Sequence, residues 1–412
     1  MTGRQRWLTI ALSALAPACV KVPPFQYQDG GPGDSADASG DAGVDDLVRV
    51  VPNATGATAT GPGYTFDFST AGSHFPSQLT VGGHALLGGA QECADEQGMG
   101  IAIYPVARVN GEDTTQMGTP QLTIPLSGPY VGQLRIAWST SAMCGGDTET
   151  FTGHSTYSFF PDGRLTRFDV AEVPRTLTGS ECNRCDSGTA TTFFLTSYTT
   201  LVVDDNAYLS DGAVSDLNEY GSDVTSVGST ACVRERGQTI AFAWTNANNR
   251  LRGTSTTAPR WVAFVHDIYA DMVLPMGSFE ATTQIGVSTS ADCPALESRI
   301  SQFTEDVHQL DINGTTIGAA LGDGIYGGDP RPDGFPVDFP VTLAPGSTTN
   351  ARIPAGFAVW LRSNGIPVTL TVEHSRHPTG TWYHEQRVSP TSVVFWFDVS
   401  LEIGETITIS GT

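Results

Sequence analysis

His154-Ser155-Thr156-Tyr157-Ser158-Phe159-Phe160-Pro161-Asp162-Gly163-Arg164-Leu165-Thr166-Arg167-Phe168-Asp169-Val170 is the stretch on which the fold turns. Two runs of aromatic and polar residues flank Asp162-Gly163, a dipeptide that between such runs signals a two-residue hairpin turn. That turn predicts pairing of Phe160 with Leu165, Ser158 with Arg167 and Thr156 with Asp169, and puts all six side chains on one face with His154. Tyr157, Phe159, Phe168 and Val170 then form a core stripe on the other face. On this register an imidazole, a guanidinium and a carboxylate converge on a polar sheet face. His154, Arg167 and Asp169 are therefore the candidate catalytic residues, with His154 or Asp169 as proton carrier and Arg167 stabilising charge. The competing reading is a solvated face with an ordinary Arg–Asp cross-strand pair.

Outward from the hairpin the chain keeps the same character. Gln121–Leu126, Leu134–Trp138 and Thr239–Trp244 alternate with period two, and Gly, Pro, Asn and Asp break the runs. The predicted fold class is all-β: a large β-sandwich domain over 47–305, then a smaller Ig-like β-sandwich over 306–412. One short helix is expected at Cys293–Phe303, with Pro294 in its first turn and Leu296, Ile300 and Phe303 on one face. It is placed as the link between the two.

The hairpin, with Tyr64-Thr65-Phe66-Asp67-Phe68 and Leu79-Thr80-Val81-Gly82-Gly83, resembles the galactose-mutarotase-like β-sandwich class over residues 50–300. That class includes sugar epimerases, polysaccharide lyases and accessory domains of glycosidases. The resemblance implies a carbohydrate ligand and, in catalytic members, His and carboxylates on a concave sheet. By position only His154 and Asp169 correspond, and no partner His is assigned. His266-Asp267, ending an apolar strand-like run, is a second contributor on this reading and a structural histidine on the other.

The chain carries a net charge of −22, and Lys21 is its only lysine. A surface that tracks phosphates needs clustered cations, so nucleic acid is excluded as a partner, and so is direct docking on anionic lipid heads. Arg4 and Arg6 precede the apolar run Trp7–Leu15, which reads as a signal peptide over 1–18. Leu15-Ala16-Pro17-Ala18-Cys19 resembles the lipobox of bacterial lipoproteins, in which the Cys is lipidated. The resemblance, with Val20 after the Cys, implies an extracytoplasmic protein held at the outer membrane by Cys19 alone; cleavage for free secretion is the alternative. Parity favours lipidation, since it leaves six of the seven cysteines to pair. Residues 19–46, rich in Gly, Ser and Asp, read as an acidic tether. Cys182-x-x-Cys185 has neither a second pair for zinc nor the strand–helix setting of a redox site, so the six are taken as structural. Local loop closure suggests Cys93 with Cys144, Cys182 with Cys185 and Cys232 with Cys293.

In the C-terminal part, a hairpin folded about Thr379 sets His374 opposite His384, a candidate metal pair. Trp382 and Tyr383 beside them are a candidate sugar-stacking platform, with a core position for Trp382 as the alternative. Asp323, Asp329, Asp333 and Asp338 are candidate calcium ligands in a Gly/Pro-rich stretch; no other cofactor is expected. There is no nucleophile elbow, phosphate loop or His-Glu-x-x-His motif. The leading functional reading is a non-catalytic glycan- or protein-binding module, and the second is a polysaccharide lyase or glycoside hydrolase.

Overall fold

The computed structural model describes residues 48–70, 78–87, 99–104, 107–109, 118–144, 146–178, 192–203, 208–209, 224–235, 237–245, 249–253, 260–289, 292–304, 310–312, 315–317, 324–327, 338–343, 352–363, 365–377 and 382–411. The fold is all-β as the alternation predicts, with one helix among the described residues. No described helix is long and apolar enough to cross a membrane.

The hairpin lies at the centre of an antiparallel eight-stranded sheet. Its strands run in the order Tyr208–Leu209, Thr230–Glu235, Gln238–Trp244, Gly277–Ser288, Arg164–Val173, Asp147–Phe159, Gly132–Cys144, Gln121–Ser127. A six-stranded sheet, with Phe193–Val203 and Arg260–Asp271 in its middle, and a five-stranded N-terminal meander pack on its inner face and share one core. Phe66 and Phe68 of the meander meet Tyr157 and Phe159 of the hairpin, their ring centroids 5.0–6.3 Å apart. Rings at this spacing bury much apolar area and also gain from edge-to-face geometry.

The hairpin register differs by one residue from the predicted one. Phe159 pairs with Leu165, Tyr157 with Arg167, Ser155 with Asp169 and His154 with Val170. The turn explains the shift. The Gly163 amide donates to the Phe160 carbonyl (3.2 Å) and the Phe160 amide to the Arg164 carbonyl (3.0 Å), while Gly163 sits at φ +79°. This is a three-residue loop, a type I turn closed by a left-handed glycine, with Pro161 fitting its second position. Because side chains alternate with period two, a slip of one residue exchanges the faces. Arg167 and Asp169 therefore turn inward with Tyr157 and Phe159, whereas His154, Phe168 and Val170 face outward.

The helix α1, Cys293–Ser301, lies on the outer face of the eight-stranded sheet. Asp292 caps it by accepting from the Ala295 amide (3.0 Å), a favourable arrangement for an otherwise unpaired helical donor. Leu296 and Ile300 sit on Gly286, where a Cβ would approach them to 2.8–2.9 Å. The disulfide Cys232–Cys293 ties the helix to the sheet, as expected. Cys144 is also disulfide-bonded, while Cys93, Cys182 and Cys185 lie outside the described residues.

Beyond α1, a five-stranded sheet and a four-stranded sheet enclose a separate core around Phe357, Phe395, Phe397, Ile407 and Ile409. In the four-stranded sheet Ile325–Gly327 runs parallel to Phe357–Arg362. Its outer side docks on the hairpin end of the eight-stranded sheet through Leu126, Val131, Phe160, Ile325, Trp360 and Trp396. Gln386 sits within this junction. Its Oε1 accepts from the Tyr130 and Val131 amides and its Nε2 donates to the Val131 carbonyl, each at 2.9 Å. Arg164, buried between the Phe160 and Phe303 rings (3.9 and 3.7 Å to the centroids), donates to the Gly356 carbonyl across the same junction.

Candidate functional site

The predicted trio is not one site. Arg167 and Asp169 are 1% and 0% exposed, sealed between the two sheets of the N-terminal sandwich. Arg167 Nε lies 2.8 Å from Asp169 Oδ2, and its Nη1 and Nη2 donate to the carbonyls of Tyr198 (2.7 Å) and Gly100 (2.6 Å) on the facing sheet. Asp169 accepts from Ser155 (2.5 Å) and Ser197 (2.8 Å). A buried ion pair needs this satisfaction of its remaining donors and acceptors, because desolvation otherwise outweighs the Coulomb attraction. The group is a bolt between sheets with no path for a substrate. His266 belongs to the same buried layer and is structural: its Nδ1 is 2.6 Å from Asn249 Oδ1, and burial pushes its pKa down to about 4.

The outer face of the eight-stranded sheet is lined by polar side chains, of which Arg135 is exposed and His154 half-buried, while Gln133, Thr156, Ser158, Thr166 and Gln284 are buried. Gln133, Arg135, Thr156, Ser158, Thr166, His154 and Gln284 share it by register. Gln133 donates to Ser158 (3.1 Å) and Thr166 to Gln284 (2.8 Å), fixing two rungs of the ladder. His154 is half-buried with its ring 6.2 Å from that of Phe168. Burial and then the nearby Arg135 guanidinium lower its pKa, so the imidazole is neutral at pH 7.

Where the C-terminal sheets overhang this face, a cleft of about 210 Å³ opens between Gln133, Arg135, Thr156 and Pro125 on one wall and Ile325, Gly327, Trp360 and Arg362 on the other. Trp360, 8% exposed, donates its Nε1 hydrogen to Ser392 Oγ (2.6 Å), and the Arg362 guanidinium lies 3.8 Å above the indole centroid. Arg135 is exposed and makes no ion pair among the described residues. The cleft thus brings together two guanidiniums, an amide and a hydroxyl beside an indole. None of Gln133, Arg135, Trp360 and Arg362 was singled out in the sequence. The alternation of Trp360 and Arg362, which places both on one strand face, was the only local signal.

The C-terminal candidates are also rearranged. His374 and His384 are not cross-strand partners: His374 pairs with Ile407 in the five-stranded sheet, and His384 with Trp396 in the four-stranded one. The predicted hairpin about Thr379 fails because each strand finds a different neighbour. His374 Nδ1 accepts from the Arg376 amide (2.9 Å) and its Nε2 is 3.8 Å from Glu405, while His384 is 2.7 Å from Asp398 and stacks on Tyr130. No cluster of three or more His, Cys, Asp or Glu suited to a metal occurs among the described residues. Trp382 is core, stacked on Phe397, rather than a platform; Tyr383 is half-buried beside it. Asp323, Asp329 and Asp333 lie outside the described residues, and Asp338 opens the strand Asp338–Leu343.

No family model matches the chain, and no curated protein matches it. Solved structures that resemble it include an alpha-mannosidase from Enterococcus faecalis V583 (8% identity, TM-score 0.40, 86% of this chain and 42% of that one). Others are the heparan sulfate lyase HepC from Pedobacter heparinus (10%, 0.33, 71% and 38%) and a putative aldose 1-epimerase from Escherichia coli K12 (8%, 0.35, 58% and 98%). The chain spans 38% of the length of that lyase. At these identities and scores the similarity assigns neither a chemistry nor a ligand.

Proposed function

We propose that this chain is an extracytoplasmic carbohydrate-binding protein, held at the outer membrane through a lipid on Cys19. Its ligand site is the cleft between the eight-stranded sheet and the C-terminal four-stranded sheet. The cleft is the observation that carries this reading. An amide and a hydroxyl from sheet residues, two guanidiniums and the edge of an indole are the groups that hydrogen-bond sugar hydroxyls and cover a sugar ring. Screening the full-length protein against an immobilised glycan array tests it. Retention of a glycan by the wild type, weakened in a Thr156→Val variant that melts normally, supports the reading; silence across the array refutes it. Incorporation of labelled fatty acid, abolished by Cys19→Ser, tests the anchor.

The second reading is a carbohydrate-active enzyme, and the neutral His154 on the same face as the cleft favours it. A neutral imidazole can take a proton from a substrate, and Arg135, not the buried Arg167, is the cation on the same face that would stabilise the negative charge left on that substrate. Release of oligosaccharides from a polysaccharide by the wild type, with none from His154→Ala, would establish it.

A further inference from the structure

We propose that the cleft recognises a sugar bearing an oxyanion, a carboxylate or a sulfate ester, through Arg135 and Arg362; this rests on the glycan reading above. Three observations carry it.

The first is the pairing of cations. In a chain of net charge −22, two arginines that lie far apart in sequence line one small cleft from opposite walls. Arg135 makes no ion pair among the described residues that would occupy it. Glu172 and Glu280 are on the same sheet face, but neither lines the cleft.

The second is preorganisation. The Arg362 guanidinium carbon lies 3.8 Å from the Trp360 ring centroid, and Trp360 is itself fixed by Ser392. A guanidinium held against a fixed indole is restricted in position, and a guanidinium is the cation that matches a carboxylate or sulfate with paired hydrogen bonds.

The third is size and company. At about 210 Å³ the cleft is smaller than the roughly 300–1,000 Å³ of pockets for drug-sized ligands, which suits a single ring and its substituent. Thr156 supplies a neutral hydroxyl beside the cations. An inorganic anion would leave it unused, and a nucleic acid would need cations continuing along a backbone, which this acidic chain lacks.

The net charge repels polyanions at long range. Affinity would therefore come from the cleft contacts, and removing either arginine should be felt in full. Calorimetric titration of the full-length protein with polygalacturonate (carboxylated), dextran sulfate (sulfated) and dextran (neutral) provides the test. The expected result is binding of at least one anionic chain about tenfold or more tighter than dextran. Arg135→Gln, at an exposed position, should lose about tenfold or more in affinity while melting like the wild type. Arg362→Lys should lose affinity too, because an ammonium keeps the charge but not the fork. Whichever anionic arm binds identifies the oxyanion. Dextran bound as tightly as the anionic chains, or full affinity in Arg135→Gln, would overturn the proposal and leave the glycan reading standing. If none of the three binds, the oxyanion proposal falls, and the glycan reading falls with it only if the array is silent as well.

Discussion

At the scale of single residues, His266 gives the clearest consequence of burial. Its pKa is pushed from 6.5 down to about 4, so the fold favours the neutral imidazole. A group depressed in this way contributes its full stability above pH 6.5, loses it as pH falls towards 4, and adds no further change below that. The shift corresponds to roughly 3 kcal/mol at most. Urea unfolding between pH 7 and pH 4 should show a decline that is shallower by about this amount in His266→Gln, whose amide can still reach Asn249. Which residues are chemically special was readable from the hairpin: Arg167 and Asp169 do form an ion pair, and His154 does lie on a polar sheet face. Which of them share a face was not readable, because that depends on whether the Pro161-Asp162-Gly163 loop holds two residues or three, and Asp-Gly is compatible with both.

At the scale of elements, Gly163 sets the loop length. Its φ of +79° disfavours any side chain, and a Cβ there would come within 2.7 Å of the Val287 carbonyl oxygen. Gly163→Ala should therefore destabilise the protein by about 1–3 kcal/mol, measured as a lowered urea midpoint with unchanged slope. Helix α1 was legible because its signals are local: Pro294 in the first turn and Leu296 and Ile300 four apart on one face, although it ends at Ser301 rather than Phe303. The Cys232–Cys293 bridge was legible for the same reason. The pairing of His374 with His384 was not, since alternation says that a run is a strand but not which strand lies beside it. Strand Tyr383–Ser389 joins Ser392–Phe397 through a tight turn, which leaves His374 to the other sheet.

At the scale of the whole molecule, the two sandwiches are joined by specific polar contacts as well as apolar ones. Gln386 completes three backbone hydrogen bonds at Tyr130 and Val131. Gln386→Ala leaves two amides and a carbonyl without these partners, and each buried orphan costs about 1–3 kcal/mol. Scanning calorimetry should then resolve two unfolding transitions where the wild type has one, with the C-terminal sandwich melting apart from its neighbour. None of this docking could be read from the sequence, because the cleft walls are separated by about two hundred residues and meet only through long-range packing. The clamp also bears on timing. With both walls held in place by Gln386, Arg164 and the Phe160–Trp396 stack, ligand entry requires no hinge to shut behind it. Stopped-flow traces with a bound glycan should be single exponentials whose rate climbs linearly with concentration and shows no plateau from a slow closing step. In Gln386→Ala a plateau should emerge, because the open and closed arrangements would then exchange.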